Sequence, residues 1–494
     1  MRDLSLAKKM NKNNNLQDFS CFFEPRTVAV VGASAKNTHA LPNTFIRRIK
    51  AFGFTGEIYP INPTADEIEG LPCYKSLADT PKPVDYAYIG VSGAQIPAML
   101  EAAKGRTQFA HVVSSGFGEV EEGRALQDEL VAAARAGGMR LVGPNCMGLY
   151  SPRGRITFAE VGPWELGHVG VVSQSGGLGT DIIRRGRNRG VKFSALVTAG
   201  NCADVTPAEF VEYYFADAQT RVIGLYLETA RDGRRLFELL RAQKASKPVV
   251  ILKGGRTQQG LAAAASHTGS LAGDDRVWVA LSRQTGCVMV DTLDQFVDTL
   301  LLFQSVKPNV AHPTKRVALF GNGGGTSVLA TDYFARLGLD VTPFEQKAID
   351  ELAALKMPPG TSITNPVDCP VGTLSQDEGR VAEKILDIIY ASGKPDALVM
   401  HLNLSAFAGR VKPEVLDNLM AAALRVRDKY PGQAHFMLVL RSDGEPALEE
   451  RKREFRAKAV AQGVPVYDEM SNAGHALAAL AAHERYTCTR GRTA

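Results

Sequence analysis

A single histidine among small residues is the clearest candidate for chemistry in this 494-residue chain. It lies in the sequence Ser266-His267-Thr268-Gly269-Ser270, which follows an apolar stretch at 248–252 that is typical of a buried strand. A neutral imidazole can attack a phosphoryl group, because the unperturbed pKa of histidine lies near neutrality. We therefore expect His267 to accept a phosphoryl group and pass it on. On local sequence alone, a histidine that only caps a helix or lies in a loop would give the same pattern.

Three loops of small residues could hold phosphate groups. Each follows an apolar strand, and they read Gly32-Ala33-Ser34, Ser173-Gln174-Ser175-Gly176-Gly177-Leu178-Gly179 and Gly321-Asn322-Gly323-Gly324-Gly325-Thr326. Glycine lets backbone N–H groups approach an anion, and the N-terminus of the following helix adds a favourable dipole. Tight packing between strand and helix, with no ligand, explains any one of these loops equally well.

Short apolar strands alternate with helical stretches of 10–15 residues along the whole chain. This pattern predicts an α/β fold with three doubly wound parallel sheets, each covered on both faces by helices. We expect a disordered lead-in, three domains and a disordered tail, with linkers at 150–167 and 306–315. The predicted boundaries are 1–20 for the lead-in, 21–150, 165–306 and 315–484 for the domains, and 485–494 for the tail.

Composition excludes several classes of protein. A net charge of +5 is too small at this length to indicate nucleic-acid binding. No apolar run approaches the length of a membrane span, and residues 1–15 lack the apolar core of a secretory signal. The seven cysteines show neither a CxxC pair nor the spacing of metal ligands. We therefore expect a cytoplasmic protein without disulfides or a bound metal ion.

The first loop does not have the features of a nicotinamide site. The G-x-G-x-x-G fingerprint is absent, and Ile61-Asn62-Pro63 stands where an acid would bind the ribose diol. Coenzyme A carries a phosphate on its own ribose, so a carboxylate would be unfavourable at that position. The residues thus favour coenzyme A over NAD.

Further motifs occur in a characteristic order along almost the entire chain. They are Phe23–Ser34, Gly143-Pro144-Asn145-Cys146-Met147-Gly148, Ser173–Gly177, Gly200-Asn201-Cys202-Ala203-Asp204-Val205, Leu227-Glu228-Thr229-Ala230-Arg231-Asp232-Gly233, Ser266–Ser270, Gly323–Gly325 and Asn365-Pro366-Val367-Asp368. Together they resemble the alpha part of ADP-forming (NDP-forming) acyl-CoA synthetases, or acetate–CoA ligases, in the succinyl-CoA synthetase superfamily. The resemblance implies a Rossmann-like CoA-binding domain followed by two flavodoxin-like domains.

The resemblance also implies roles for individual residues. His267 would be phosphorylated during turnover, and Glu228 would hydrogen-bond and stabilise it, while Asp204 would orient its loop or a partner. Phosphate would be bound by Ser173, Gln174, Ser175, Gly176, Gly177, Thr268 and Gly269. Coenzyme A would be bound by Gly32, Ala33, Ser34, Lys36, Asn62, Pro63, Val91, Ser92, Asn145 and Cys146. Cys146 is also explained as a small buried residue with no chemistry of its own.

Two departures from the family pattern stand out. The glycine that usually opens the first helix soon after Ser34 is missing, and Lys36, Arg47 or Arg48 would have to compensate electrostatically. No region resembles an ATP-grasp domain or a P-loop, so we expect ATP or ADP and Mg²⁺ to bind a separate ATP-grasp beta subunit. The expected reaction joins a carboxylic acid to CoA. The alternatives are a CoA-sensing protein without activity on the same scaffold, or a related enzyme that forms acyl or carbamoyl phosphates.

Overall fold

Three large, mostly parallel sheets of five, seven and five strands form the framework of the residues that the structure describes. The computed structural model describes residues 18–268 and 274–491, without the side chains of 265–268, 413 and 491. The predicted α/β class is therefore confirmed. The described residues divide into two compact units, of which the first comprises those up to Arg184, Lys192–Gln243 and those of Lys253–Trp278, and the second Arg185–Val191, Lys244–Leu252 and those from Val279 onward.

The first sheet lies in the first unit and is parallel throughout. Its strands, together with a small antiparallel hairpin formed by the third and fourth, are β1 (Thr27–Val31), β2 (Glu57–Ile61), β3 (Glu67–Ile68), β4 (Leu71–Pro72), β5 (Val84–Ile89), β6 (Thr107–Val112) and β7 (Arg140–Val142). The helices that accompany them are α1 (Ser20–Phe23), α2 (Leu41–Ala51), α3 (Ile96–Ala102) and α4 (Arg124–Ala136). The strand order β2-β1-β5-β6-β7 reverses at β1. Ligands of α/β proteins bind at such a switch point, beyond the carboxyl ends of the strands.

The first unit also contains strands β8 (Leu149–Ser151), β9 (Ile156–Thr157), β10 (Val169–Ser173), β11 (Phe193–Thr198) and β12 (Val222–Leu227). Their order is β12-β10-β11-β8-β9, with β8 antiparallel to both of its neighbours. The helices of this region are α5 (Gly176–Arg189), α6 (Pro207–Ala216), α7 (Gly233–Ala242), α8 (Gln258–Thr268) and α9 (Asp275–Thr285). Within the predicted boundary at 150–167, the end of β8 and the whole of β9 form an antiparallel hairpin that the sequence analysis did not predict.

Two further strands, β13 (Val249–Lys253) and β14 (Val288–Val290), pair in parallel. The third sheet belongs to the second unit and consists of β15 (Val317–Gly321), β16 (Val367–Asp368), β17 (Ala397–Asn403), β18 (His435–Arg441) and β19 (Val466–Tyr467). It is parallel throughout, in the order β16-β15-β17-β18-β19. With β15 between β16 and β17, the order is the flavodoxin-like 2-1-3-4-5.

The helices of the second unit include a long C-terminal one. In chain order they are α10 (Leu293–Ser305), α11 (Gly324–Arg336), α12 (Gln346–Ala354), α13 (Val371–Leu374), α14 (Val381–Ile388), α15 (Leu404–Phe407), α16 (Pro413–Lys429), α17 (Pro446–Ala461) and α18 (Met470–Gly491). We expected disorder from 485 onward, but 485–491 are helical. The Tyr486 hydroxyl donates to the Gln284 carbonyl over 2.8 Å, and Arg490 donates to the same carbonyl. Residues 1–17 and 492–494 lie outside the described chain.

No helix in the described part of the chain is both long and apolar enough to cross a membrane.

A buried carboxylate holds the last strand of the first sheet to a loop that follows β11. Asp204 accepts hydrogen bonds from the Arg140 Nε (2.8 Å), the Arg135 Nη2 (3.0 Å) and the Leu141 backbone N–H (3.0 Å). Burial alone would raise the pKa of Asp204, but these donors outweigh burial and hold the pKa below its usual value. Asp204 therefore orients its loop, one of the two roles considered from the sequence.

Replacing Asp204 by Asn should destabilise the first unit by about 2 kcal/mol at pH 7, because the buried carboxylate accepts charge-assisted hydrogen bonds from Arg135 and Arg140. The lowered pKa means that this stabilisation is complete above the pKa of an unfolded Asp and is lost as the pH drops through the folded value. The difference between wild type and D204N in urea unfolding should therefore shrink from pH 7 to pH 3. The exposed pair of Lys75 and Asp66 supplies a control, since D66N should cost less than about 1 kcal/mol. A pH-independent difference for D204N would contradict this account.

Candidate active site

The loop Ser173–Gly177 begins at the carboxyl end of β10 and leads into α5. The Ser173 hydroxyl donates to the Ser175 carbonyl (2.7 Å), and the Ser175 hydroxyl accepts from the Leu178 N–H (3.3 Å) in the first helical turn. Gly177 is exposed, and a Cβ there would meet nothing within 4 Å. The N-terminus of α5 is thus open to an anion, which its dipole and backbone N–H groups would favour.

Gln174 connects this loop to the end of β12. Its side-chain oxygen accepts hydrogen bonds from the backbone N–H groups of Glu228 (2.5 Å) and Thr229 (2.9 Å). Its own backbone N–H donates to the Tyr226 carbonyl over 3.1 Å. Gln174 was predicted to bind phosphate, and that role stays a prediction. In the structure its side-chain carbonyl fixes the backbone that carries Glu228.

Glu228 is 5% exposed and lies just beyond β12. Its Oε1 accepts a hydrogen bond from the Tyr226 hydroxyl (3.0 Å), and its backbone carbonyl accepts from the Lys253 ammonium (2.8 Å). Lys253 also donates to the Gly254 carbonyl. Burial lowers the pKa of Lys253, while the negative charges of Glu228 and Asp275 oppose this effect. Neither Tyr226 nor Lys253 was predicted from the sequence as a partner of Glu228.

The predicted nucleophile, His267, lies on α8, but its side chain is outside the described part of the structure. The same applies to the side chain of Thr268 and to the whole of Gly269. On either side of this stretch, Arg256 and Asp275 form a two-pronged ion pair with a shortest distance of 2.6 Å. The pair ties the residues before α8 to the start of α9.

The loop Gly32–Ser34, predicted to bind CoA, follows β1 and requires glycine at its first position. Gly32 has a φ of +95°, and a Cβ there would lie 2.4 Å from the Gly90 carbonyl oxygen. The Ser34 hydroxyl accepts from the backbone N–H groups of Lys36 (3.2 Å) and Asn37 (3.0 Å), so that it shapes the turn from within. The Lys36 side chain is exposed beside this turn.

Asn43, in the first turn of α2, holds the loop Gly32–Ser34 by side-chain hydrogen bonds. Its side chain accepts from the Ser34 N–H (2.8 Å) and donates to the Ser34 carbonyl (3.0 Å). This residue lies close to where the family usually has glycine, and the sequence analysis gave it no role. Arg47 and Arg48, considered there as compensating charges, instead contact Glu69 and the Phe158 carbonyl.

Asn62 joins the end of β2 to the same loop. Its amide nitrogen donates to the Ala33 carbonyl (2.9 Å), and its oxygen accepts from the backbone N–H groups of Thr64 (2.9 Å) and Ala65 (3.0 Å). Pro63, beside it, is exposed. The structure thus brings the predicted residues Ala33 and Asn62 together at the switch point of the first sheet.

The remaining predicted CoA residues lie at the ends of β5 and β7. The Val91 carbonyl accepts from the Ser114 hydroxyl (2.6 Å), and the Ser114 carbonyl accepts from the Asn145 N–H (2.9 Å), while Ser92 is exposed. The Cys146 thiol is buried and donates to the Val112 carbonyl (3.2 Å). Burial raises the pKa of Cys146, so the thiol stays protonated and is a poor nucleophile.

The turn at 143–148 meets the loop at 173–177 directly. A Cβ on Gly176 would lie 2.4 Å from Cγ of Met147, so only glycine allows this approach. The Thr198 hydroxyl, at the end of β11, accepts from the backbone N–H groups of Met147 (3.0 Å) and Gly148 (2.8 Å). The predicted CoA turn, the phosphate loop and Glu228 therefore form one continuous series of contacts within the first unit.

Comparisons with known proteins identify the family of the chain. Family models match a CoA binding domain at 26–152 and a succinyl-CoA ligase like flavodoxin domain at 166–303. The alpha subunit of ADP-forming acetate–CoA ligase II from Pyrococcus furiosus is 32% identical over 461 residues, which cover 93% of this chain and 96% of the relative. The chain belongs to the family of ADP-forming acetate–CoA ligase alpha subunits. It is an acid–thiol ligase with a CoA-binding domain, and the resemblance stated from the sequence is confirmed.

Two further similar proteins support the assignment. The alpha subunit of ligase I from Pyrococcus furiosus is 36% identical over 70% of this chain and 75% of its own length. An acetyl-coenzyme A synthetase 1 of Ca. Korarchaeum cryptofilum, solved in complex with phosphate and ADP, has a TM-score of 0.81 at 28% identity, with 96% of this chain and 99% of that chain covered.

Replacing Asn62 by Ala should weaken CoA binding roughly tenfold, because the loop at Gly32–Ser34 loses the amide that holds its Ala33 carbonyl. Isothermal titration of the ligase alpha subunit with CoA measures this directly. Asn418 offers a matched control, since its amide donates to the exposed Glu378 carbonyl in the second unit and N418A should bind CoA as the wild type does. Equal affinities for N62A and the wild type would show that Asn62 does not shape the CoA site.

Proposed function

We propose that this chain interconverts acyl-CoA, ADP and phosphate with a carboxylic acid, CoA and ATP through a phosphohistidine at His267. The nucleotide would be bound by a separate ATP-grasp beta subunit. The observation that carries the proposal is the contact between Met147 and Gly176, which sets the predicted CoA turn against the loop at the N-terminus of α5. Gln174 then connects that loop to Glu228.

The reaction would proceed in three balanced transfers. First, a phosphate oxygen attacks the thioester carbonyl, the C–S bond breaks, and CoA leaves as a thiolate that takes up a proton. Next, a nitrogen of His267 attacks the phosphorus of the acyl phosphate, and the carboxylate leaves. Finally, the β-phosphate of ADP attacks phosphohistidine, which gives ATP and free imidazole. The phosphohistidine intermediate replaces one difficult transfer by steps with lower barriers, as covalent intermediates do in other enzymes.

Two features of the first unit would serve these transfers. The open N-terminus of α5 would offer backbone N–H groups to the phosphoryl oxygens, where positioning and electrostatic stabilisation supply most of the catalysis. Glu228 would accept a hydrogen bond from the imidazole of His267, fix its tautomer and offset its positive charge. CoA would be held at the switch point of the first sheet by the loop Gly32–Ser34 and by the turn at Asn145 and Cys146.

The names of the relatives support a partner subunit. The two Pyrococcus furiosus relatives are alpha subunits, and the Ca. Korarchaeum cryptofilum protein was solved with ADP and phosphate. The sequence of this chain contains no P-loop motif. ATP or ADP, with Mg²⁺ to neutralise the phosphates, would therefore bind to the beta subunit.

Labelling with [γ-³²P]ATP and Mg²⁺ tests the carrier. The complex of this chain with its beta subunit, isolated through a tag on this chain, should acquire label that is lost in acid and stable in base, because a P–N bond has that lability. H267A should abolish the label, and E228Q should slow its appearance at least tenfold. The exposed His39 provides the control, since H39A should label as the wild type does. Acid-labile label that persists in H267A would rule out His267 as the carrier.

A further inference from the structure

The hydroxyl of Tyr226 contacts the carboxylate on which the proposed phosphohistidine chemistry depends. Tyr226 and Glu228 are two residues apart along β12 and its extension, so their side chains lie on the same face. The hydroxyl lies 3.0 Å from Oε1 of Glu228. A neutral donor to a carboxylate forms a charge-assisted hydrogen bond, which is stronger and more directional than one between neutral groups.

The backbone around this pair is held independently of the tyrosine hydroxyl. Gln174 accepts from the Glu228 N–H, and Lys253 donates to the Glu228 carbonyl. These contacts determine where the Glu228 Cα lies, but a glutamate side chain still has three rotatable bonds. The contact from Tyr226 reaches the carboxylate itself and therefore restrains its orientation directly.

Tyr226 and Glu228 lie close to Gly254, where the segment that leads to His267 starts. A Cβ on Gly254 would be 2.9 Å from the Tyr226 hydroxyl oxygen and 3.4 Å from Cγ of Glu228. The absence of a side chain at Gly254 thus leaves room for the hydroxyl. Burial, with the charge of Glu228 next, raises the pKa of Tyr226 well above its usual value, so the hydroxyl remains a donor at neutral pH.

We propose that Tyr226 is a positioning residue that orients the Glu228 carboxylate through its hydroxyl, in a space that Gly254 keeps open. The inference rests on the function proposed above, in which Glu228 acts on His267. Tyr226 touches neither the substrate nor the transferred phosphoryl group in this scheme and acts through Glu228 alone.

Single-turnover phosphorylation of His267 in the complex with the beta subunit tests the proposal. Y226F should slow the transfer from ATP about tenfold, as expected for the loss of one charge-assisted hydrogen bond. The ATP concentration that gives half the maximal rate should stay within about twofold, because nucleotide binding does not involve Tyr226. Y214F is the matched control, since Tyr214 loses a hydrogen bond to the Val171 carbonyl of β10 but lies outside the proposed site, and it should react as the wild type does.

A double-mutant cycle with E228Q separates positioning from a general loss of structure. If Tyr226 acts through the carboxylate, adding Y226F to E228Q should slow the reaction less than about twofold further. A tenfold effect that persists in the E228Q background, or a wild-type rate in Y226F, would overturn the inference. A wild-type rate in E228Q would instead overturn the proposed role of Glu228.

G254A provides a second route to the same contact, because it retains every polar group. Its Cβ would displace the Tyr226 hydroxyl, so it should slow the transfer in the wild-type background and have little further effect in Y226F. A G254A rate equal to that of the wild type would contradict the close contact on which the inference depends.

Discussion

Two backbone N–H groups at the end of β12, those of Glu228 and Thr229, donate to the side-chain oxygen of Gln174. Gln174 itself belongs to the loop that starts α5. This contact joins the acid on one strand to the candidate phosphate loop on the neighbouring strand. Because the end of a buried parallel strand leaves backbone donors without a ladder partner, the amide also satisfies groups that would be costly to bury alone. The position of Glu228 relative to the loop Ser173–Gly177 therefore depends on these two hydrogen bonds.

Within the first unit, further contacts lie on both sides of the hydrogen bonds between Gln174 and the end of β12. Toward the CoA side, Gly176 allows Met147 to approach the start of α5, and Thr198 holds the same turn from the end of β11. Toward the segment of His267, Tyr226 and Lys253 contact Glu228 and border Gly254. The candidate site is thus built on strand ends and short turns, which hold side chains more precisely than long loops do.

Apolar periodicity was sufficient to predict the three sheets, because buried parallel strands are continuous apolar runs that stand out between helices. It failed for β8 and β9, which are two to three residues long and follow no such run. Periodicity also failed to predict the helix at 485–491, because this stretch is polar and contains arginine. The helix is held by hydrogen bonds from Tyr486 and Arg490 to the Gln284 carbonyl. Short antiparallel strands and polar helix ends depend on tertiary contacts that local sequence does not show.

The candidate site could be predicted to the level of residue type and order, through the family resemblance and the small residues at strand ends. The side-chain hydrogen bonds that hold its loops in place could not be predicted in this way. Asn43 supports the predicted CoA loop by side-chain hydrogen bonds, which no spacing rule indicates. Tyr226 could have been noticed, since side chains two apart on a strand share a face, but its contact with Glu228 required the coordinates.

The proposed phosphoryl transfer requires that Glu228 contacts the imidazole of His267. A crystal structure of the phosphorylated complex with the beta subunit, determined without ADP, shows this contact. The account predicts a Glu228 oxygen about 3 Å from a ring nitrogen of His267, with the phosphoryl group on the other nitrogen. An imidazole that carries the phosphoryl group but hydrogen-bonds elsewhere, with Glu228 turned away from it, would contradict the account.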